Sequence, residues 1–428
     1  MDYGLVAVLL LLTGVLWSPM AAAEVRAGVA REAFVLPERI PLAGYSRRKG
    51  TPSRGVHDPV GVRAVVLQDA QTTAVLASCD LLIIDESLCE AVRRRLLAQG
   101  WPQRLVLILA ATHTHSGPGA YGTKFLEKMS MGHFNPKVLD VLVEGITRTI
   151  VKAHEDLSPV RLAYRTTLTD GLVMNRMDER GFADTELIVC AFYREGQTAP
   201  FVVLVNFAAH PTTLGAWNRQ LSADYPGVVV REVERRVPTA TCLFFAGAVG
   251  DQGPVKAGSG FERSERVGLP LAQLTLTLLE QASAEPANSL RAIQEVVPLS
   301  PARVRLASWL TLPRILGGWM VDDDATLSLL AVGRVAFLGV PCDLTAGLGQ
   351  ELKAAARARG FSPMLIGFAC DYIGYCVPEP LYRTRAYETS MAFNGPQTGE
   401  LIVNRLTQLL DQIVTSSAKG GSTLGGDK

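Results

Sequence analysis

The sequence has few cysteines, almost no net charge and no internal repeat, and each shortage excludes a class of protein. Lys and Arg number 42 against 41 Asp and Glu, which gives a net charge of +1 and no electrostatic reason to expect nucleic acid as a partner. Seven cysteines in 428 residues are too sparse for a disulfide scaffold. With 48% hydrophobic residues, the chain can form one large domain or two ordinary ones around a sizeable core.

Long apolar runs are also scarce, and the longest lies at the amino terminus. The run from Leu5 to Trp17 is short for a bilayer span, and the small residues Ala21–Ala23 follow it, as in an export signal. We therefore predict a signal peptide over residues 1–23 and a mature protein that is secreted or periplasmic. Asp2 and the lack of Lys or Arg before the run are atypical, so a retained anchor is the alternative. The Gly/Ser-rich residues 416–428 are predicted to form a disordered tail.

Between these ends, strand-like and helix-like segments alternate. Strands are predicted at 64–67, 74–78, 105–111, 201–207, 242–246, 326–330, 334–338 and 364–369, and helices at 86–99, 137–154, 224–236, 265–282, 345–359 and 399–416. This alternation predicts an α/β fold with a mixed β-sheet core flanked by helices.

Five of the predicted strands end directly in side chains that can bind metal or move protons. In chain order these side chains are His113 with His115, then His210, Asp251, Asp343, and the group from Asp371 to Tyr375. Ligand sites of α/β sheets form beyond the carboxyl ends of the strands, so we expect a single metal site there. The chain has six histidines, and three of them fall at these points. The alternative is five unrelated polar loops.

His113 and His115 stand two residues apart at the end of the first of these strands. In extended backbone their side chains leave the same face, and two imidazoles facing one point suit zinc. The alternative is a pair of ordinary loop histidines. A His-x-His-x-Asp-His metal motif is excluded, because Gly117 and Pro118 occupy the places of its Asp and second-site His. A Ser-His-Asp hydrolase fits poorly, because no Gly-x-Ser-x-Gly segment follows a strand.

Together, these motifs resemble the catalytic domain of the neutral/alkaline (non-lysosomal) ceramidase family. The matching segments are 42–45, 111–122, 175–176, 206–215, 222–227, 246–254, 340–347 and 371–388, in the family's order. The sequence THTHSGPG at 112–119 and the tyrosine-rich segment at 371–388 are the specific signals. The resemblance covers nearly the whole mature chain, and it implies one catalytic domain over residues 24–415.

The resemblance implies a zinc cofactor and a role for each site residue. The implied zinc ligands are His113, His210, Asp343 and Tyr375, the implied acid/base is His115, and the implied carbonyl and oxyanion donors are Arg176 and Tyr387. Asp251 is a candidate orienting carboxylate or, alternatively, a turn residue. Two further alternatives stay open: an ion pair of Arg176 with Asp178 or Glu179, and a role of Asp343 at the helix start near Thr345.

The sequence departs from the family pattern at three points that bear on these implied roles. Gly253 stands where the family's ceramidases carry a serine nucleophile, so serine attack from that position is excluded. The acidic zinc ligand, usually Glu, is Asp343 here, and the neighbouring Cys342 is a rival ligand because thiolate also suits zinc. We also expect no counterpart of the carboxyl-terminal immunoglobulin-like domain of the longer ceramidases within these 428 residues.

These observations predict a secreted zinc-dependent hydrolase that cleaves an amide (N-acyl) bond by attack of a metal-bound water, with His115 moving the proton. The expected partner is a small-molecule or lipid N-acyl compound, with contact to a membrane surface as a further option. Ceramide as substrate would require a deep apolar cleft beside the metal. The alternatives are a zinc hydrolase of another ester or amide and a non-catalytic zinc-binding relative.

Overall fold

Two large β-sheets, three two-stranded pairs and the covering helices make up the computed structural model, which describes residues 24–307, 310–311 and 320–421. The strands are β1 (Arg26–Ala33), β2 (Gly61–Gln68), β3 (Thr73–Cys79), β4 (Val106–Ala111), β5 (Ser158–Leu168), β6 (Val173–Asn175), β7 (Glu186–Arg194), β8 (Val202–Phe207), β9 (Thr241–Ala246), β10 (Gln252–Pro254), β11 (Glu285–Pro286), β12 (Leu290–Pro298), β13 (Arg305–Ala307), β14 (Leu310–Thr311), β15 (Asp324–Val332), β16 (Val335–Gly339), β17 (Asp343–Leu344), β18 (Ser362–Ile366) and β19 (Tyr375–Cys376). The helices are α1 (Glu86–Ala98), α2 (Phe125–Met131), α3 (Pro136–Glu155), α4 (Asp224–Arg236), α5 (Glu262–Glu280), α6 (Ala346–Ala358), α7 (Tyr387–Ser390) and α8 (Thr398–Gly421), and Ser46–Arg48 forms a 3₁₀ turn.

The larger sheet runs in the order β4-β3-β2-β1-β5-β7-β8-β9, with β11 paired to β5. Its β3/β4 and β8/β9 pairs are parallel and the other pairs are antiparallel. The smaller sheet, β12-β15-β16-β18, is antiparallel except for β16/β18. The two-stranded pairs are β6/β10, β13/β14 and β17/β19. The prediction of a mixed sheet core flanked by helices is confirmed.

The core lies between the two sheets and under the helices that cover them. In β2, Val65 and Leu67 point into the core that the sheets share, whereas Ala64 and Val66 face α1 and α3. This is the period-two alternation of a strand covered on both faces. Helices α4 and α5 cover the outer face of β7 to β9, and α6 and α8 cover the smaller sheet. The carboxyl ends of β4, β8, β9 and β16 are thereby left free to carry loops.

The ends of the chain differ from the sequence expectation or lie outside the described part. The predicted signal peptide, residues 1–23, and the last residues, 422–428, are not among the described residues. Helix α8 runs to Gly421 and so extends past the predicted helix end at 416. Among the described residues, no helix combines the length and the apolar character needed to cross a membrane.

Asp80, at the end of β3, provides a test of how burial affects stability. Its carboxylate accepts the Gly61 N–H at 3.0 Å and lies 3.5 Å from the Arg63 guanidinium. Burial raises the pKa of Asp80 to about 6, although the charge of Arg63 partly opposes the rise. Between roughly pH 4 and 6 the folded chain therefore holds a proton that the unfolded chain has released, and the free energy of unfolding falls as the pH rises.

Asp80→Asn removes this titration. We expect the free energy of unfolding of the variant, relative to wild type, to increase by up to about 3 kcal/mol between pH 4 and 7, measured by urea denaturation. Asp411→Asn serves as the control. The ion pair of Asp411 with Arg359 at the surface lowers the pKa of Asp411, so its contribution to the free energy of unfolding changes with pH in the opposite direction. If the free energies of unfolding of Asp80→Asn and wild type changed with pH in parallel, the raised pKa of Asp80 would be contradicted.

Candidate metal centre

Three imidazoles meet where β4 and β8 end. His113 Nε2 lies 2.9 Å from His210 Nε2 and 3.2 Å from His115 Nε2. One nitrogen from each ring falls within 4.8 Å of the other two, so these histidines could hold a metal ion. His113 has a left-handed φ of 63°, which is uncommon for a non-glycine residue. The imidazoles of His113 and His115 therefore converge as predicted, but not through extended backbone.

The other nitrogen of each ring faces a backbone carbonyl oxygen. His113 Nδ1 lies 2.6 Å from Leu82 O, and His210 Nδ1 lies 3.1 Å from Val249 O. His115 Nδ1 lies 3.0 Å from the carbonyl oxygen of Gly44. Since a carbonyl only accepts, each Nδ1 carries the proton and each Nε2 keeps its lone pair. All three lone pairs are thus available for a metal ion or a proton.

The three rings are neutral at physiological pH. Burial lowers the pKa of His113 to about 3. Burial, with the positive charge of Arg176 contributing less, also lowers the pKa values of His115 and His210 well below the ordinary value. Neutral imidazole is the form that ligates metal, so no proton has to leave these three rings when an ion binds.

Asp343 supplies a carboxylate to the same point. Its Oδ1 lies 3.7 Å from His113 Nε2 and 3.6 Å from His210 Nε2, and it is buried without a hydrogen-bond partner among the described residues. The other oxygen accepts the Tyr372 hydroxyl at 2.8 Å. Burial raises the pKa of Asp343 to about 7. A buried carboxylate oxygen left unpartnered beside three imidazole lone pairs fits the donor set of a zinc ion.

The register of β17 against β19 separates Asp343 from its rival Cys342. Asp343 pairs with Tyr375 in a parallel bridge, and both lie on the imidazole side. Cys342 lies in the apolar core under α6 and α8, and burial raises the pKa of its thiol well above the usual value. All seven cysteines are free thiols, and Cys370 donates to Leu107 O rather than pairing with Cys376. The geometry therefore favours the carboxylate as ligand.

Arg176 links three segments beside the imidazole cluster through its guanidinium group. Its Nη2 donates to the Tyr375 hydroxyl at 2.8 Å and to Gly250 O at 2.7 Å, and its Nε lies 2.8 Å from a Glu388 carboxylate oxygen. The ion pair of Arg176 is therefore formed with Glu388 and not with a neighbour in sequence. The Tyr375 ring lies parallel to the His210 ring, 6.5 Å away between centroids. Arg176 thus fixes the phenol next to the imidazole cluster.

Tyr387 and Asp251 occupy different positions relative to the imidazoles. Tyr387 begins α7, is 62% exposed, and packs edge-on against Tyr375 with ring centroids 5.7 Å apart. It can therefore reach a bound molecule. Asp251 is buried and accepts the Asn175 side-chain amide at 2.9 Å and the Ala346 N–H, at the start of α6, at 2.8 Å. Asp251 thus orients the backbone and holds Asn175 next to Arg176, and it is Asp251 rather than Asp343 that meets the helix start.

Asp371, at the end of β18, turns away from the imidazoles. Its oxygens accept the N–H groups of Tyr372 and Thr326, at 2.6 Å and 3.3 Å. Sequence reasoning assigned no individual role to Tyr372, Glu388, Asn175 or Gly44, although all four lie in segments that carry the family resemblance. Each of them contacts a predicted site residue directly. Glu388 and Tyr372 lie inside the tyrosine-rich segment, which was the only available signal for them.

An apolar cleft opens beside the imidazoles of His113 and His115. Its apolar wall consists of Leu82, Ile83, Leu126, Met131, Met320, Val321, Met391 and Phe393, with Tyr372, Tyr375 and Tyr387 near the imidazoles. A larger groove elsewhere, lined chiefly by residues 33–39 and 51–56, contains none of the predicted site residues, so size alone does not mark the site. Apolar walls beside polar reacting groups suit a substrate with a hydrocarbon part.

The fold and this site define an α/β protein with a candidate metal centre at the strand ends. A family model described as neutral/alkaline non-lysosomal ceramidase, N-terminal, matches residues 37–265, more than half of the chain. The chain belongs to this family. It is 27% identical over 381 residues to the neutral ceramidase of Pseudomonas aeruginosa (83% of this chain, 54% of the relative) and 28% identical over 226 residues to that of Mycobacterium tuberculosis (47% and 34%). The chain thus spans about half the length of the first relative and a third of the second.

Solved structures agree on the fold. The crystal structure of neutral ceramidase from Pseudomonas aeruginosa superposes with a TM-score of 0.80 at 21% identity, covering 92% of this chain and 75% of that chain. A ceramidase complexed with C2 gives a TM-score of 0.78 at 20% identity, covering 95% and 77%. The likeness extends over most of the chain and establishes a shared architecture.

Proposed function

We propose that this protein is a zinc-dependent hydrolase of the ceramidase type that cleaves an N-acyl amide bond. The observation that carries the proposal is the meeting of three neutral imidazoles with an unpartnered buried carboxylate at the side of an apolar cleft. Membership of the ceramidase family supports the reaction class, and the hydrocarbon-lined cleft supports an acyl substrate.

His113, His210 and Asp343 would hold the zinc ion, with Tyr375 as a fourth donor. Zinc, when bound, supplies a Lewis acid and lowers the pKa of coordinated water toward about 7. The chain's own contribution is rigidity: Leu82 and Val249 fix the tautomers of two rings through their carbonyl oxygens. Such orienting contacts commonly change metal affinity about 10–100-fold when they are removed.

His115 is proposed to move the proton. It is the most exposed of the three imidazoles and lines the cleft, and its Nε2 is free of any backbone partner. A neutral ring with Nδ1 protonated can accept a proton at Nε2 and return it to the leaving nitrogen. Arg176 and Tyr387 are proposed to donate hydrogen bonds to the reacting carbonyl, since both contact Tyr375 and Tyr387 lines the cleft. Asp251 acts through Asn175 as an orienting carboxylate.

Gly253 has no hydroxyl, so this chain cannot use the serine-based hydrolysis that a serine at this position would allow. Gly253 lies in β10 opposite Met174, and a Cβ placed there would meet Arg176 Cβ at 3.8 Å and Met174 O at 4.0 Å, which are ordinary contacts. A serine would therefore fit without strain. The open position next to Arg176 leaves room for water or for a hydroxyl of the substrate, which favours an ester or another amide as the second candidate substrate.

We predict that Gly253→Ser folds with wild-type stability or gains up to about 1 kcal/mol, because glycine in a strand is entropically unfavourable. Residue 253 lies next to the side chain of Arg176, a proposed carbonyl donor. We therefore expect a pre-steady-state burst of amine from an N-acyl substrate, the kinetic mark of an acyl-enzyme. Gly253→Ala is the matched control and should give the stability change without the burst. A serine variant that folds and shows no burst would place residue 253 away from the reacting bond.

Export is proposed on the sequence of residues 1–23 alone. Expression of the full chain with a carboxyl-terminal tag, followed by mass spectrometry of the culture medium and cell fractions, tests it. We expect a mature chain that begins near Glu24 outside the cytoplasm. An uncleaved, membrane-bound chain would instead support the retained anchor.

Two measurements together test the proposed reaction. Metal analysis of the purified chain should find stoichiometric zinc, and a fluorescent panel of N-acyl amides, including ceramide, and of esters should reveal hydrolysis that chelation removes. Preference for esters would select the second candidate substrate. Zinc without turnover of any compound in the panel would indicate a non-catalytic relative.

A further inference from the structure

The segment that contains Gly44, Tyr45 and Arg48 wraps around His115. Gly44 O receives the Nδ1–H of His115, and the Tyr45 ring packs 4.9 Å from the imidazole between centroids. Gly44 has a φ of +102°, and a Cβ at this position would lie 2.6 Å from His115 Cγ. Only glycine allows this approach. The acceptor that sets the tautomer of His115 is therefore held by a segment about seventy residues away in sequence.

Arg48 is the group that ties this segment to His115. Its Nη1 donates both to Ala43 O at 2.7 Å and to His115 O at 2.6 Å, and its Nη2 donates to Gly215 O at 3.3 Å. The guanidinium also lies over the Tyr45 ring, 4.8 Å from the centroid. One nitrogen thus joins the backbone on both sides of the Gly44–His115 contact.

Arg48 is an unusual choice for a purely structural position. It is 5% exposed, no carboxylate pairs with it among the described residues, and its Nε has no hydrogen-bond partner there. Burial lowers its pKa to about 10, so the group is still a cation at neutral pH. An unpaired buried charge destabilises a fold relative to an apolar side chain of similar size. The hydrogen bonds of Arg48 to three carbonyl oxygens, and not an ion pair, therefore point to its task.

We propose that Arg48 is a positioning residue for His115: by bridging Ala43 O and His115 O, it keeps the Gly44 carbonyl on Nδ1 and so keeps the Nε2 lone pair directed at the metal centre. The inference rests on the proposed role of His115 as the proton carrier. Arg48 itself touches no reacting atom. Its loss leaves His113 and His210 on their own carbonyl partners, Leu82 and Val249, so the effect is specific to one of the three rings.

The experiment compares Arg48→Lys, Arg48→Met and Arg48→Ala with wild type in two readouts. The first is the pair of ¹⁵N shifts of each imidazole in [¹⁵N]histidine-labelled, zinc-free protein, which report the tautomer without any turnover. The second is kcat and KM on the best substrate of the N-acyl panel. We expect a tautomer mixture at His115 only, and a fall in kcat of about 100-fold with little change in KM, as misplacement by about 1 Å typically produces.

Added guanidinium should restore part of kcat and the single tautomer in Arg48→Ala, and Arg48→Lys should lie between wild type and Arg48→Met. Arg194→Ala is the matched control: Arg194 also lies over an aromatic ring, that of Phe201, and donates to a carbonyl, that of Asp156, but it is remote from the cleft. It should lower stability without altering either readout.

The outcomes separate the inference from the proposed function. Unchanged His115 shifts in a folded Arg48→Met or Arg48→Lys protein would overturn the positioning role, whether or not the protein is a hydrolase. Altered shifts in a wild-type protein that hydrolyses nothing would support positioning and overturn the proposed function instead. Equal losses of kcat in Arg48→Met and Arg194→Ala would reduce Arg48 to a general stabilising residue.

Discussion

His210→Ala is expected to lose its zinc and its hydrolytic activity together. His210 Nε2 belongs to the donor set, 2.9 Å from His113 Nε2 and 3.6 Å from Asp343 Oδ1. Alanine removes one of the three closely placed imidazoles, and the remaining donors cannot enclose the ion. We expect zinc content to fall from stoichiometric to a trace and kcat/KM to drop at least about 10³-fold, the scale of losing the principal source of charge stabilisation.

The matched control for this prediction is His154→Ala. His154, on α3, packs beside Trp101 with 4.8 Å between ring centroids. Removal of the His154 imidazole should leave zinc content and activity unchanged. Thermal unfolding with and without added zinc supplies a second readout, since an ion that binds the folded chain raises its stability. Retention of stoichiometric zinc and full activity by His210→Ala would show that the ion lies elsewhere.

The elements that could be predicted from sequence are those whose signal is local. Strands β4, β8 and β9 are almost entirely apolar, apart from Asn206 and Thr241, because both faces are covered, and their bounds were predicted to within about a residue. Strand β5 was missed: only three of its residues are fully buried, most of the others are half-buried, and arginines and threonines interrupt the apolar pattern. Such a strand is fixed by its partners β1 and β7 rather than by its own composition.

The candidate site likewise contains some residues that could be predicted from the sequence and others that could not. The three histidines could be predicted because each follows a buried strand directly, and the strand ends meet at one edge. The choice between Cys342 and Asp343 could not be made from spacing, because neighbours in an extended chain face opposite sides. The β17/β19 bridge makes that choice by placing Asp343 opposite Tyr375, thirty-two positions later. Long-range pairing of short strands leaves no periodic pattern in either segment.

The contacts of Arg176 depend on three distant segments and were also beyond prediction. An arginine followed closely by Asp178 and Glu179 invites a local ion pair, but the structure pairs it with Glu388 and Tyr375 instead. The β6/β10 pairing turns Arg176 away from its sequence neighbours, since its own N–H donates to Asp251 O. The alternative of a local ion pair is therefore wrong, and the guanidinium is mostly buried in the site.

Arg176→Met is expected to reduce kcat by about 10²–10³-fold while zinc stays bound, because the proposed donor to the developing oxyanion is removed and the four proposed ligands remain. Arg176→Lys should recover little of this loss, since a single ammonium cannot contact Tyr375, Gly250 and Glu388 in the geometry of the guanidinium fork. Steady-state kinetics and metal analysis of both variants measure the effect.

The loss must be separated from the effect of a stranded charge, because Arg176→Met leaves the carboxylate of Glu388, 6% exposed, without its cation. The double variant Arg176→Met/Glu388→Gln removes that charge. We expect it to regain most of the unfolding free energy lost by Arg176→Met and none of the kcat, whereas Glu388→Gln alone should lower kcat less than Arg176→Met does. Recovery of kcat in the double variant would show that Arg176 only neutralises Glu388 and does not act on the substrate.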